Sequence, residues 1–514
     1  MSGMPRPFKR AQTRSSDVPI CRGNLSTCRA VKDCDSNEFL YIGTAFQKGE
    51  SLTMMKIVRL RAVATSLLLL VLLSAFAASA QTAPAAQPDI TKAPAAAQPS
   101  DHFDVDAATD AYLALMPASA QARSDAYFEG GYWLILWDFL IGAVIALLLL
   151  NLGWSAWMRD LAERITRWKW LQTFIYWVEY LLLTTVLGFP MAVYEGYFRE
   201  WKYGLATQTF GPWMWDLTKA LVLNVLLGGL FVVVLFWVVR KLPRTWWLWG
   251  SVASIVLMVF TVMIVPIFIV PTFNKVTRLD DPKVTTPILA MARANGIPAH
   301  DVWTMDASKQ TTRMSANVSG FGQTMRITLN DNLLRRGSLE EIEAVMGHEM
   351  GHYVLNHIPK DITFFTLVVL AAFGFLKWSL DWSLKRWGTK WGIRGVSDPA
   401  VLPLVVLLGS IFFFVLTPFL NTHTRTSEAE ADIFGINASR QPDGFAQAAI
   451  HLGEYRKMKP IPLEEWMFFD HPSGYNRIHA AMRWKAQNLQ LYVAPVTTSV
   501  ATPSADQIGS GGSR

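Results

Sequence analysis

Beyond residue 34 the sequence contains no cysteine. Its three cysteines, Cys21, Cys28 and Cys34, form no CxxC pair. That spacing disfavours a zinc knuckle, and the rest of the chain has to fold without a disulfide. Charge is scarce too. Charged residues make up 17% of the chain against 51% hydrophobic, and mean hydropathy is +0.24. A soluble protein of this length is normally more polar. No internal repeat is present, so a repeat architecture is excluded. The formal net charge of +7 calls for no nucleic acid. Much of the basic charge lies in short loops between apolar runs, where membrane orientation explains it.

What the chain does have is apolar runs near bilayer length, about 20 residues each. Four lie near 132–154, 171–194, 216–240 and 246–272, and two more near 361–382 and 399–420. Before them, Met55 opens MKIVRLRAVATSLLLLVLLSAFAASAQ. It has a basic start, an apolar core and an Ala78-Ser79-Ala80 cleavage pattern, so residues 55–80 read as a signal peptide or a retained anchor. Residues 1–54 then read as a non-native upstream extension. Residues 81–125, rich in Ala, Pro, Gln and Asp, read as a flexible linker, and residues 491–514 as a disordered tail.

The expected organisation is four transmembrane helices over 126–272, a polar segment over 273–360, two transmembrane helices over 361–420 and a second polar segment over 421–490. Two spans return the chain to the side it left, so the polar halves can form one domain. Arg159, Arg164, Arg167 and Lys169 occupy one short loop, Arg240, Lys241 and Arg244 a second, and Lys385, Arg386, Lys390 and Arg394 a third. These three loops fall on one face. The loop near 195–215 on the other face has only Arg199 and Lys202. The positive-inside rule puts the basic loops in the cytoplasm and the polar domain outside. Cleavage of a signal peptide gives the same orientation.

Histidine is rare, nine in 514 residues, which singles out AVMGHEMGHYVLNH at 344–357. Ser338 can cap a helix here, with Glu341 completing a capping box. On that helix His348 and His352 lie one turn apart and can reach one ion. Glu349, beside the first histidine, can reach a metal-bound water. Two nitrogen ligands suit zinc, and an adjacent carboxylate base suits hydrolysis. Gly347 and Gly351 would let another element approach closely. His357, nine residues from His348, falls on the opposite face and is expected not to be a ligand. A catalytic zinc wants a third protein ligand. In RTSEAEADIFGI, residues 425–436, Glu428 and Asp432 share a helix face and Glu430 points away. The expected ligand is Glu428, with Asp432 as the acceptor that orients a histidine. His423 and His451 read as structural.

From about Leu183 to Trp484 the chain resembles the type I CAAX prenyl proteases, a family of integral-membrane zinc metalloproteases. The resemblance is carried by YEGYFREWKYGLATQTFGPWMWDLTKAL, VPIFIVPTFNKVTRL, EIEAVMGHEMGHYVLNH, TRTSEAEADIFG and DHPSGYNRI. It implies one zinc per chain on His348, His352 and Glu428, with Glu349 activating water. It further implies His471 near the site as an oxyanion stabiliser and Arg477 holding the site together. SANVSGFGQTMRITLNDNL, residues 315–333, resembles the family strand that lines the substrate, with Asn317 matching the family's Asn. The turn after it is shorter, and Val318 replaces an aromatic residue.

The expected fold is mainly α: a polytopic helical membrane protein enclosing a chamber, with a split gluzincin-like zinc protease domain that contains a small β element. The expected function is a zinc metalloendopeptidase acting on peptide or protein substrates, lipidated or membrane-associated, with the lipid bilayer as partner and no nucleic acid. The expected setting is the bacterial inner membrane. Family topology places the zinc domain in the cytosol, opposite to the loop charges. The rival reading is a transporter or chaperone-like chamber with a structural zinc site.

Overall fold

A computed structural model of the chain describes residues 92–320 and 325–492. The upstream extension, the signal peptide or anchor, residues 81–91 of the linker and residues 493–514 of the tail lie outside the described residues.

The helices are α1 (Val105–Leu113), α2 (Ala118–Asn151), α3 (Trp154–Ile165), α4 (Lys169–Lys202), α5 (Phe210–Lys241), α6 (Trp246–Phe273) and α7 (Pro282–Ala294). They continue with α8 (Asp331–Arg336), α9 (Leu339–Val354), α10 (His357–Trp387), α11 (Leu402–Ser439), α12 (Pro442–Leu452), α13 (Pro462–Phe468) and α14 (Gly474–Gln487). Six of them, α2, α4, α5, α6, α10 and α11, are long and apolar enough to cross a membrane. Large apolar side chains on them, such as Leu147, Val186, Phe260 and Val415, are exposed, as lipid-facing positions are. The protein is a polytopic helical membrane protein.

At one end of these helices the three basic loops meet. Arg159 pairs with Asp398 at 2.6 Å, Arg394 bonds Glu163 at 2.9 Å and Asp160 at 2.8 Å, and Arg240 donates to the Lys169 carbonyl at 3.3 Å. Exposed Trp157, Trp168, Trp237, Trp378 and Trp382 lie on the helices and loops near this end, consistent with an interfacial aromatic belt. Beneath them is a core built on Leu149, Tyr176, Phe236, Trp246, Leu380 and Val401.

The opposite end carries the polar domain. Strands β1 (Val276–Arg278), β2 (Val302–Met305), β3 (Ala316–Ser319) and β4 (Arg326–Asn330) form one sheet in the order β1-β2-β4-β3. The β2–β4 pairing is parallel and the other two are antiparallel. Ile327 and Leu329, two residues apart on β4, point into a core shared with Ile288 of α7 and Met346 and Met350 of α9. Strand β3 is left at the sheet edge.

Two features depart from the sequence reading. The second polar segment does not begin with a new element: α11 runs unbroken for 38 residues from the apolar run to Ser439. At 1.5 Å per residue that is ~57 Å, well beyond a bilayer core of about 30 Å. The stretch with Glu428 and Asp432 is therefore a rigid extension of a membrane helix. The linker reading is also corrected for residues 92–125. Residues 118–125 belong to α2, and Ala108 and Tyr112 of α1, with Met116 just beyond its end, pack on α12 and α14 at four-residue spacing. Tyr112 donates to Asp443 at 2.7 Å, and buried Lys485 reaches Asp443 at 2.5 Å and the Ala97 carbonyl at 2.7 Å. An Ala- and Pro-rich composition reads as linker, yet one residue per turn is enough to seat a short helix on a ready-made surface.

Candidate active site

Helix α9 starts where the sequence says it can. Ser338 Oγ accepts from the Glu341 N–H at 3.2 Å, and Glu341 Oε2 accepts from the Ser338 N–H at 2.6 Å, closing the capping box. This fixes the phase of the helix, and so the face that His348 and His352 present. The face is covered by α11 in a close crossing. Gly347 packs on Gly435, and Gly351 on Ala431. That contact brings the Glu428 carboxylate over the two imidazoles.

The three groups form a compact triangle. The Nε2 atoms of His348 and His352 are 3.2 Å apart. Glu428 Oε2 stands 3.2 Å from His348 Nε2, and Glu428 Oε1 stands 3.5 Å from His352 Nε2. Tetrahedral zinc with bonds near 2.0–2.1 Å needs donor atoms roughly 3.3 Å apart, so the spacing fits such an ion. Glu428 Oε2 is enclosed and meets only two imidazole nitrogens among the described residues, His348 Nε2 and His471 Nε2, each at 3.2 Å and neither in hydrogen-bond geometry. A buried carboxylate oxygen in that state is costly unless something else holds it, and a cation would.

Asp432 Oδ1 lies 2.8 Å from His348 Nδ1, one turn from Glu428. Arg477, on α14, grips Asp432 in turn: its Nε donates to Oδ2 at 2.9 Å, and its Nη2 pairs with Oδ1. Both side chains are buried, which makes the pair a fixed wall of the site. His471, in the loop before α14, points its Nε2 at Glu428 Oε2 from 3.2 Å while its Nδ1 bonds Asp470 at 2.8 Å.

Glu349 lines the same cleft, a cavity of about 230 Å³. Burial pushes its carboxyl up to about 7; His348 and Arg477 oppose this and the Glu428 charge adds to it. Such a group can both take and return a proton near neutrality. Burial works against charge on His348, but Asp432 and Glu428 outweigh it and lift that imidazole to about 9. His352 is held down to about 4, chiefly by burial and then by the neighbouring His348, which outweigh the opposing charge of Glu428 at 3.5 Å.

The remaining sequence candidates are placed as follows. Asn317 is exposed on edge strand β3, opposite Thr328, and its neighbour Ala316 lines the cleft. Glu430 points away from the triangle, to Lys360 at 3.0 Å. His423 meets Asp361 at 2.9 Å, and His451 meets Glu341 at 2.7 Å, both away from the triangle. His357 is a correction. It is not on the far face but against His352, with the two Nδ1 atoms 2.9 Å apart, and its Nε2 is 3.1 Å from Glu430. The opposite-face reading assumes one continuous helix. The chain instead breaks at Asn356, φ +56°, and α10 restarts beside the site. Asn tolerates that conformation, and Asn356 followed by Pro359 was the available signal. Arg456, also lining the cleft, had no sequence signal.

Comparison with known proteins bears on the family and the fold. Residues 278–485 match the model of peptidase family M48, and residues 109–275 match that of the CAAX prenyl protease N-terminal region, described as five membrane helices. Four spanning-length helices lie in that second stretch here. An uncharacterised metalloprotease of Bacillus subtilis is 29% identical over 335 residues, 65% of this chain and 78% of the relative. CAAX prenyl protease 1 of Saccharomyces cerevisiae is 27% identical over 318 residues, 58% of this chain and 69% of the relative. The crystal structure of S. mikatae Ste24p shares the fold, with a TM-score of 0.60 at 22% identity, covering 71% of this chain and 88% of that one. The chain belongs to the CAAX prenyl protease family within the M48 peptidases, and it is a membrane metalloprotease that depends on a metal cofactor.

Proposed function

We propose that the chain holds one zinc ion on His348, His352 and Glu428 and cleaves peptide bonds with Glu349 as general base. The observation that carries this reading is the triangle of 3.2, 3.2 and 3.5 Å between the three groups, with Glu349 in the same cleft. Bound zinc would supply Lewis-acid polarisation of the peptide carbonyl and lower the pKa of its water. Asp432 accepts from His348 Nδ1, which leaves Nε2 as a lone-pair donor. Arg477 keeps Asp432 in place. Glu349 takes the proton from water and delivers it to the leaving amine. His471 donates to the oxyanion as it forms. Edge strand β3, including Asn317, offers free backbone groups along which an extended substrate can lie. A chamber with a purely structural metal would have no use for a base at Glu349, so the transporter or chaperone-like reading is the weaker one.

The substrate we infer is a membrane-associated or lipidated polypeptide, because the cleft stands at the end of the membrane helices. The setting we infer is the bacterial inner membrane. The basic loops gather at the helix ends away from the cleft, which supports a cytoplasmic placement for them and a non-cytoplasmic one for the active site. A reporter active only outside the cytoplasm, fused after Gln490, should report activity. Signal from a cytoplasm-only reporter there reverses the orientation. The chemistry is tested by Glu349→Gln with zinc content measured alongside casein cleavage. Zinc should stay and cleavage fall by about 10²–10⁴-fold. Near-normal turnover in that variant would defeat the mechanism.

A further inference from the structure

Arg456 lines the catalytic cleft, yet its side chain makes no hydrogen bond or ion pair among the described residues, and its Nη1 is enclosed by protein. The other guanidinium of the cleft, Arg477, is held by Asp432 through its Nε and Nη2. The carboxylates whose charge reaches Arg456 are Asp470 and Glu428. Both are committed elsewhere, Asp470 to His471 at 2.8 Å and Glu428 to the histidine pair. Native proteins rarely leave an enclosed charged donor unmatched, because its desolvation goes uncompensated.

Nor is this a loose side chain on a free loop. Ser124 of α2 donates to the Arg456 carbonyl at 3.1 Å. Lys457 is tied to Glu129 at 2.6 Å and to Glu464 at 2.9 Å, and Glu454 to Arg336 at 2.5 Å. The segment is pinned on both sides of Arg456, which holds the guanidinium ready for a ligand. The cleft wall beside it is apolar, with Phe445, Leu452 and Met314.

We propose that Arg456 is a carboxylate-binding subsite of the cleft. It anchors a substrate carboxylate, from the chain terminus or from an acidic side chain, next to an apolar side chain. A planar guanidinium fork matches a carboxylate with two parallel bonds, which a neutral amide cannot reproduce. The proposal rests on the reading of this cleft as the peptidase site.

The test is peptide binding to the full chain, loaded with zinc and carrying Glu349→Gln so that nothing is cleaved. Three probes are used: acetyl-Ala-Phe-Leu-Val as the free acid, the same peptide as its amide, and the amide with Asp in place of Val. One carboxylate peptide should bind about 10–100-fold tighter than the neutral amide. Preference for the free acid identifies a chain terminus; preference for the Asp peptide identifies a side chain. Adding Arg456→Gln should erase the preference, the carboxylate peptides losing more than the neutral amide, and Arg456→Lys should restore part of it. Equal binding of all three probes, absence of binding included, or an equal loss for all three in Arg456→Gln, overturns the proposal. Casein cleavage by the unmodified chain reports on the protease reading separately.

Discussion

A Cβ atom on Gly347 would stand 2.7 Å from the carbonyl oxygen of Gly435, and one on Gly435 would stand 2.6 Å from the backbone nitrogen of His348. The two glycines are each other's contact surface. They set the distance between the helix bearing the histidines and the helix bearing Glu428, so the width of the candidate metal site is a backbone property. Neither backbone can yield cheaply, unlike a flexible side chain.

Gly435→Ala should therefore separate the helices, lowering zinc affinity and destabilising by about 1–3 kcal/mol or more. Gly374 on α10 has nothing within 4 Å of its Cβ position, so Gly374→Ala should be neutral or slightly stabilising. Thermal unfolding in detergent with zinc titration compares the two. Wild-type zinc affinity in Gly435→Ala would show that the crossing has slack.

Glu428→Ala should lose most bound zinc, because three protein ligands leave none spare. Treatment with a chelator should abolish casein cleavage by the wild type, and added zinc should bring it back. Metal analysis of the purified variant is the check. Full zinc content in Glu428→Ala would move the ligand role to another residue, with His471 the nearest alternative.

Asp432→Asn keeps the size of the side chain but removes the charge facing His348 and Arg477. Zinc affinity should weaken by about 10–100-fold. Arg477→Met leaves the buried Asp432 charge with His348 as its one remaining partner and should cost about 3–5 kcal/mol of stability. Zinc titration and denaturation of both variants separate the two effects. An unchanged melting temperature in Arg477→Met would contradict the wall role.

Lys485→Met removes the buried bond to Asp443 and leaves the Ala97 carbonyl unmatched. A loss of about 1–3 kcal/mol is expected. The segment from 92 to 116 should also become more sensitive to limited proteolysis. If protease sensitivity there stays at the wild-type level, that segment is held mainly by its apolar contacts, Ala108, Tyr112 and Met116.

The sequence by itself determined what depends on short separations. Apolar runs near bilayer length are local, so six membrane helices were legible. The four-residue step from His348 to His352, the neighbouring Glu349, the Ser338–Glu341 box and the shared face of Glu428 and Asp432 are each written within one helix. Only the tertiary structure decided what those faces meet. His348 and Glu428 come together because two helices cross at glycines 347 and 435. Arg477 reaches Asp432 from a third helix, and Arg456 reaches the cleft from a pinned loop with no motif. Residues 105–113 settle on α12 and α14, more than 300 residues away. His357 turns inward at one left-handed residue, a choice that periodicity does not encode. Spacing along the chain fixes which side chains share a face; packing between distant segments fixes which faces meet.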